Sequence, residues 1–280
     1  MSSTERRPRL DPGRLLHGWV VLTVVAGMAF PLAWMLYSSL KSNQEIFARP
    51  FGLPQDPDWG NWWVAWTTGD LGRLYLNSLL VTGSAVLIVV SLAALAAYAF
   101  ARLRFPGRDA LFYLFLIGLL LPPQTVIIPL FSLLRDLGLL NTYWALILPY
   151  ASWPLALTIF MLRSFYRTLP GELEDAARID GAGLWTTFWH VMLPLVRPAL
   201  VTMVILNAVN LWNELLFALL FIQEETMRTL PAGLMAFYGY HSVDYKLVFA
   251  ALSIATVPVL IFYFIFQRQI IAGLTVGSLD

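Results

Sequence analysis

Six stretches of this chain run for more than twenty residues with almost no charge: 18–40, 74–101, 110–134, 137–162, 198 to about 223, and 247–267. Glu214 is the one acidic residue inside them. At 1.5 Å per residue, each run is long enough to cross about 30 Å of hydrocarbon as a helix. Lipid offers no partner for backbone N–H and C=O groups, so the spanning segments must satisfy them internally. A transmembrane β-barrel would show alternating segments of about ten residues, and these runs are continuously apolar. The expectation is an all-α membrane protein with six transmembrane helices.

Composition supports this. The chain is 59% hydrophobic and 12% charged, too little charge to coat a water-facing surface. The net charge of +1 gives no basic field for nucleic acid. There are no cysteines, which excludes thiol catalysis and thiolate metal sites. His17, His190 and His241 lie in separate regions without metal-ligand spacing. No cofactor is expected. The first run follows Arg6, Arg7, Arg9 and Arg14 as a signal peptide would, but it is longer than an h-region and no convincing cleavage site follows; it reads as an uncleaved helix.

Lys and Arg counts give an orientation. With the N-terminus inside, the inside loops carry Arg6, Arg7, Arg9, Arg14, Arg102, Arg104, Arg108, Arg163, Arg167, Arg178, Arg197 and Arg268. The outside loops hold the remaining six, Lys41, Arg49, Arg73, Arg135, Arg228 and Lys246. Both termini are therefore expected in the cytoplasm. The division is a cytoplasmic segment 1–17, a transmembrane domain 18–267 and a cytoplasmic tail 268–280. Trp59, Trp62, Trp63 and Trp66 fall in the first outside loop, where they suit either an interfacial belt or sugar stacking. Pro122, Pro123, Pro129, Pro149 and Pro154 are expected to kink the third and fourth spans, through a transport pathway or as plain structural bends.

The longest inside loop, 163–198, has helical grammar. Pro170 suits a first helical turn, and Glu172, Glu174 and Asp175 sit near the positive end of the helix dipole. Glu174 and Arg178 are spaced i, i+4 for an ion pair. Gly181 provides a left-handed stop, and a second short helix, 184–192, ends before Pro194. The first helix has small Ala176 and Ala177; the second has Trp185, Phe188 and Trp189. Either the element packs beneath its own bundle or it presents a surface to a partner.

Within the fifth run, Asn207, Asn210 and Glu214 are spaced i, i+3, i+7 and are expected on one helix face. They suit hydrogen bonding to a polar solute, interhelical contact, or, for Glu214, a place near the outer interface. Asn77, with Tyr75 and Ser78, either lines the same cavity or packs helices. The segment 224–245, with Leu234, Met235, Phe237, Tyr238 and Tyr240, is an outside loop.

The 163–198 loop resembles the EAA motif of binding-protein-dependent ABC importers. Asp175-Ala176-Ala177, then Gly181, then Val191-Met192-Leu193-Pro194 match its spacing, with Asp for Glu and Val for Ile as departures. Asn77-Ser78, Phe105-Pro106-Gly107, Ile179-Asp180-Gly181-Ala182, Leu211-Trp212-Asn213-Glu214 and the ending 266–277 are similar to the sugar-permease branch, the ending to the maltose-type second permease. The resemblance implies a type I ABC importer permease fold in the bacterial plasma (inner) membrane. It implies a coupling helix in which Glu174, Asp175, Ala176, Ala177, Asp180 and Gly181 dock on an ATPase subunit, with Glu174 an alternative to Asp175. It further implies a second permease subunit, an ATP-binding dimer, a solute-binding protein reached by 224–245 or bypassed by it as an interfacial segment, and a carbohydrate substrate carried by alternating access. ATP would be bound by the partner: the only lysines, Lys41 and Lys246, follow Leu40 and Tyr245, so the chain lacks the Gly-Lys-Ser/Thr of a P-loop. It is expected to be a transport subunit and not an enzyme. The competing class is a stand-alone secondary transporter or channel, which would carry ion-coupling acids in several spans.

Overall fold

The computed structural model describes residues 12–238 and 243–275, with side chains for 17–238 and 243–267. Tyr240, His241, most of the expected segment 1–17 and the end of the tail lie outside the described residues. The helices in chain order are α1 (Pro12–Ser38), α2 (Asn43–Ala48), α3 (Gly60–Thr68), α4 (Leu71–Arg102), α5 (Arg108–Ile117), α6 (Ile127–Asp136), α7 (Trp144–Ser152), α8 (Leu155–Thr168), α9 (Glu172–Ile179), α10 (Leu184–Thr187), α11 (Leu193–Leu195), α12 (Arg197–Trp212), α13 (Leu216–Phe221), α14 (Leu230–Leu234) and α15 (Tyr245–Thr275).

Three segments are singly long and apolar enough to cross a membrane: His17–Ser38, Leu71–Arg102 and Tyr245–Gln267. Three bent pairs qualify together. Arg108–Leu120 and Pro123–Asp136 meet at 90°, Trp144–Ser152 and Leu155–Thr168 at 41°, and Leu184–Leu195 and Arg197–Trp212 at 73°. Two of the three bends fall at expected prolines, while Pro129 and Pro149 lie within α6 and α7. Pro122 and Pro123 occupy the first break and Pro154 the second, where a missing N–H and a ring clash remove the helical hydrogen bond.

The fifth run is not one helix. The sequence predicts one span from 198 to about 223, but α12 ends at Trp212 after 16 residues, about 24 Å, and α13 restarts at Leu216. Glu214 lies in that break. Its carboxylate accepts from the backbone N–H groups of Phe217 at 3.0 Å and of Ala218 at 3.4 Å, groups that have no acceptor in the preceding helical turn.

The chain divides into two compact units. The first lies within Met1–Thr68 and Phe237–Ile254. In it the Lys41 ammonium is fully buried at the end of α1, donating to the carbonyls of Arg49 at 2.9 Å and Pro50 at 3.3 Å. Burial pushes its pKa below the ordinary lysine value, and the Glu45 carboxylate offsets part of that. Asn61 donates to the carbonyls of Ser39 and Lys41, and the Trp62 indole donates to the Ser39 hydroxyl. These bonds tie α3 to the end of α1. Of the four tryptophans, Trp62 turns inward, while Trp59, Trp63 and Trp66 stay exposed.

The second unit lies within Gly69–Ala236 and Ala255–Asp280, and α4 is its axis. It packs against α7, α8 and α12 along a stripe that includes Ser78, Val81, Ala85, Val89, Ala93 and Ala97. The small residues at 85, 93 and 97 let neighbouring backbones approach closely, which is how helices associate when lipid is as apolar as the side chains. One core gathers Ala145, Leu146, Tyr150, Phe217 and Phe221 around the α13 end of the unit. The other joins Ala93, Ala97, Ile159, Leu162 and Tyr166 to Phe188 and Met192 from the 163–198 loop.

Candidate functional site

The 163–198 loop folds as the expected helix, glycine turn and helix. α9 opens with Glu172, Glu174 and Asp175 in its first turn and closes on Gly181 at φ +80°. The Gly181 N–H bonds to the Arg178 carbonyl at 3.0 Å and the Ala182 N–H reaches back to that of Ala177 at 2.9 Å. This is a Schellman ending, which satisfies helix carbonyls that would otherwise be unpaired. A positive φ there favours glycine, since a Cβ would crowd the following carbonyl.

The second helix departs from expectation. It does not stop before Pro194 but continues through a π-turn, Phe188–Met192, into α11, with the Leu193 N–H bonded to the Phe188 carbonyl. The wider register places the proline just after a turn that already deviates from i to i−4 bonding, which lets the chain stay helical where an α-helix would be broken.

The two faces of this element differ sharply. Glu174, Ala177, Phe188 and Met192 are buried. Asp175, Ala176, Asp180 and Gly181 are exposed, and beside them lie Ile179, 86% exposed, Trp185, 67% exposed, and the exposed Leu184 and Trp189. The candidate set thus splits. Asp175, Ala176, Asp180 and Gly181 face outward; Glu174 and Ala177 do not. The expected Glu174–Arg178 pair is replaced: Arg178 pairs with Asp175 at 3.4 Å, and Glu174 lies 3.9 Å from the Arg102 guanidinium at the end of α4. Glu174 is buried and Arg178 exposed, so the two side chains turn to different partners. Arg102 also donates to the Leu169 carbonyl, and Tyr98 lies near Glu174. No periodic signal in the sequence links Arg102 to Glu174.

The other candidates are dispersed. Asn207 is buried and donates to the Thr158 hydroxyl at 3.1 Å. Glu214 accepts from the Tyr150 hydroxyl. Asn210 is exposed on α12. The one-face expectation needed helical phase from 207 through 214, and the chain leaves the helix at Asn213. Asn77 is buried on α4, donating to the carbonyls of Thr226 and Arg228, both at 2.9 Å, and accepting from the Tyr143 hydroxyl at 2.8 Å. Ser78 accepts from the Leu230 N–H at 2.7 Å. Asn77 and Ser78 thus hold the segment leading into α14. Asn141, not singled out from the sequence, accepts from the N–H groups of Gln223 and Glu224 beyond α13.

A groove of about 480 Å³ runs between α4, α12 and α15, with Val86, Val90, Ala208, Trp212 and Phe262 among its walls. Its lining is almost wholly apolar, so within this chain it offers few hydrogen bonds to a polar solute. Among the described residues no cluster of His, Asp or Glu could hold a metal ion.

Comparison with known proteins gives the family and the fold. Residues 89–276 match the family described as binding-protein-dependent transport system inner membrane component. The chain is 39% identical over 279 residues, 99% of its length and 91% of the relative's, to the diacetylchitobiose uptake system permease protein NgcG of Streptomyces coelicolor. It is 35% identical to the trehalose/maltose transport system permease protein MalG of Thermococcus litoralis, with 95% of each chain covered. A chain from the crystal structure of a bacterial ABC transporter involved in the import of the acidic polysaccharide alginate superposes with a TM-score of 0.83 at 24% identity, covering 95% of this chain and 99% of that one, and so shares the fold. Helical spans, the Gly181 turn with its outward face and these matches converge: the chain belongs to the binding-protein-dependent transport system inner membrane component family, as a multi-pass permease subunit of an ABC importer.

Proposed function

We propose that this subunit forms half of a carbohydrate pathway and receives the work of ATP hydrolysis from an ATP-binding partner through the exposed face of the 163–198 loop. The observation that carries this is the outward cluster of Ile179, Leu184, Trp185 and Trp189 beside Asp175, Asp180 and Gly181. A short helix pair leaves that much apolar and aromatic surface open at the end of a bundle only at a cost, and a groove on a soluble partner removes it from water. Asp175 and Ala176 form its small acidic edge. Lys and Arg bias puts this loop and both termini in the cytoplasm, where nucleotide is found. A second permease would supply the other half of the pathway and a solute-binding protein would deliver the solute from outside.

Carbohydrate is supported by relatives named for diacetylchitobiose and for trehalose and maltose. Of the candidate pathway residues, Asn210 keeps an exposed amide; Asn77, Asn207 and Glu214 are engaged within the chain. Pathway contact is therefore assigned first to Asn210.

The test is co-purification. Ile179→Glu combined with Trp185→Ala is expected to cut recovery of the ATP-binding subunit with this chain at least about tenfold, as loss of a buried hot spot does. Undiminished recovery with the membrane domain still folded would sink the docking role. Asn210→Ala is expected to lower uptake of the carbohydrate retained by the cognate binding protein without changing assembly.

A further inference from the structure

Two residues one turn apart on α4, Tyr98 and Arg102, receive both halves of the 163–198 loop. The Arg102 guanidinium lies 3.9 Å from Glu174 of α9 and donates to the carbonyl of Leu169 at the end of α8. The Tyr98 hydroxyl lies near the Glu174 carboxylate, and its ring packs on that of Phe188 at 5.2 Å, in the π-turn of the second helix. Tyr98, Arg102 and Glu174 are all largely buried. The side-chain spacing is i, i+4 on α4, so both groups leave the same face of its last turns.

What else holds α9 sharpens the point. Its main packing is against the 184–192 segment of its own loop. The polar cluster adds a tie from α9, through Glu174 and Arg102, to the ends of α4 and α8. Breaking one side of a largely buried charge pair leaves the other charge uncompensated. The pair is also not closed up. At 3.9 Å it is longer than a charge-assisted hydrogen bond, and the buried Arg102 Nε has no partner among the described residues.

We infer that Tyr98, Arg102 and Glu174 form the joint through which displacement of α9 becomes displacement of α4 and α8. They are positioning residues: none touches solute or nucleotide. The inference rests on the docking role proposed above, since a joint needs something to push α9.

The chain has no cysteine of its own, so introduced cysteines label cleanly. In the full importer with cysteine-free partner subunits, spin labels at Glu172→Cys on the exposed first turn of α9 and Leu87→Cys on the exposed side of α4 report the distance across the joint. With the joint intact, the distance distribution is expected to be the same without nucleotide and with ATP plus vanadate. In Glu174→Gln, nucleotide is expected to shift it by about 2 Å, the scale of interface helix shifts, or to broaden it. Tyr98→Phe removes only the hydroxyl and keeps the ring against Phe188, so it tests the same joint should Glu174→Gln fail to fold. The exchange Arg102→Glu with Glu174→Arg is expected to restore the nucleotide-independent distance. An unchanged distribution in the folded, assembled variants overturns the joint. Failure of the docking role shows separately, as undiminished co-purification of the Ile179→Glu, Trp185→Ala subunit.

Discussion

The Glu214 carboxylate accepts the hydroxyl of Tyr150 and so joins α7 to the break between α12 and α13. The same carboxylate caps the N–H groups of Phe217 and Ala218. An acid otherwise costly in a membrane is accommodated because three donors converge on it.

Removing that acceptor should be expensive. Glu214→Ala is expected to lower stability by about 1–2 kcal/mol from the lost cap. Leaving the Tyr150 hydroxyl unpaired adds about 1–3 kcal/mol. Glu214→Gln keeps an acceptor and should lose less. Thermal unfolding of the purified complex measures both, and the combination of Glu214→Ala with Tyr150→Phe should be less damaging than the sum of the two, because the second change removes the orphan left by the first.

Gly233 is expected to tolerate no side chain. A Cβ there would fall 2.2 Å from one methyl of Leu74 and 2.5 Å from the other. Leu74 is itself buried, so it has little room to withdraw. Gly233→Ala should cost about 1–3 kcal/mol by overpacking. Adding Leu74→Ala opens the space and should recover part of the loss in melting temperature; no recovery would mean that the contact is not the cause.

Lys41 makes stability depend on alkaline pH. Its folded pKa lies below the ordinary lysine value of 10.5 because burial disfavours the charge. Between those two values the unfolded chain binds more protons than the folded one, so stability rises with pH across that window. The melting temperature of the natural chain minus that of Lys41→Met should therefore climb from neutral pH toward 10.5 and level off above it. A flat difference would show that the ammonium is not held at a lowered pKa.

Much of this was legible from the residues. The apolar runs located α1, α4 and α15 because a bilayer fixes both length and polarity, and the tandem prolines at 122 and 123 located the sharpest bend. Gly181 was readable as a stop because a Schellman ending needs a residue at positive φ. Which way α9 faces was not readable: Glu174 and Asp175 are adjacent acids, and only the position of Arg102, 72 residues earlier on α4, decides that the first turns inward. Glu214 misled for a related reason. The i, i+3, i+7 spacing implies unbroken helical phase through it, while its side chain is what the chain uses to leave one helix and begin the next.

The π-turn at Phe188–Met192 amounts to one extra residue threaded into a helix. Each residue of an α-helix rotates its successors by about 100°. Trimming a single residue from this turn would thus spin Leu184, Trp185 and the α9 turn about the axis leading into α12, carrying the aromatic face a quarter-turn and more out of alignment. The phase between the bundle and its outward face is set by that one insertion, so sequence length in 188–192 should be far less free to vary than side-chain identity on the exposed surface around it.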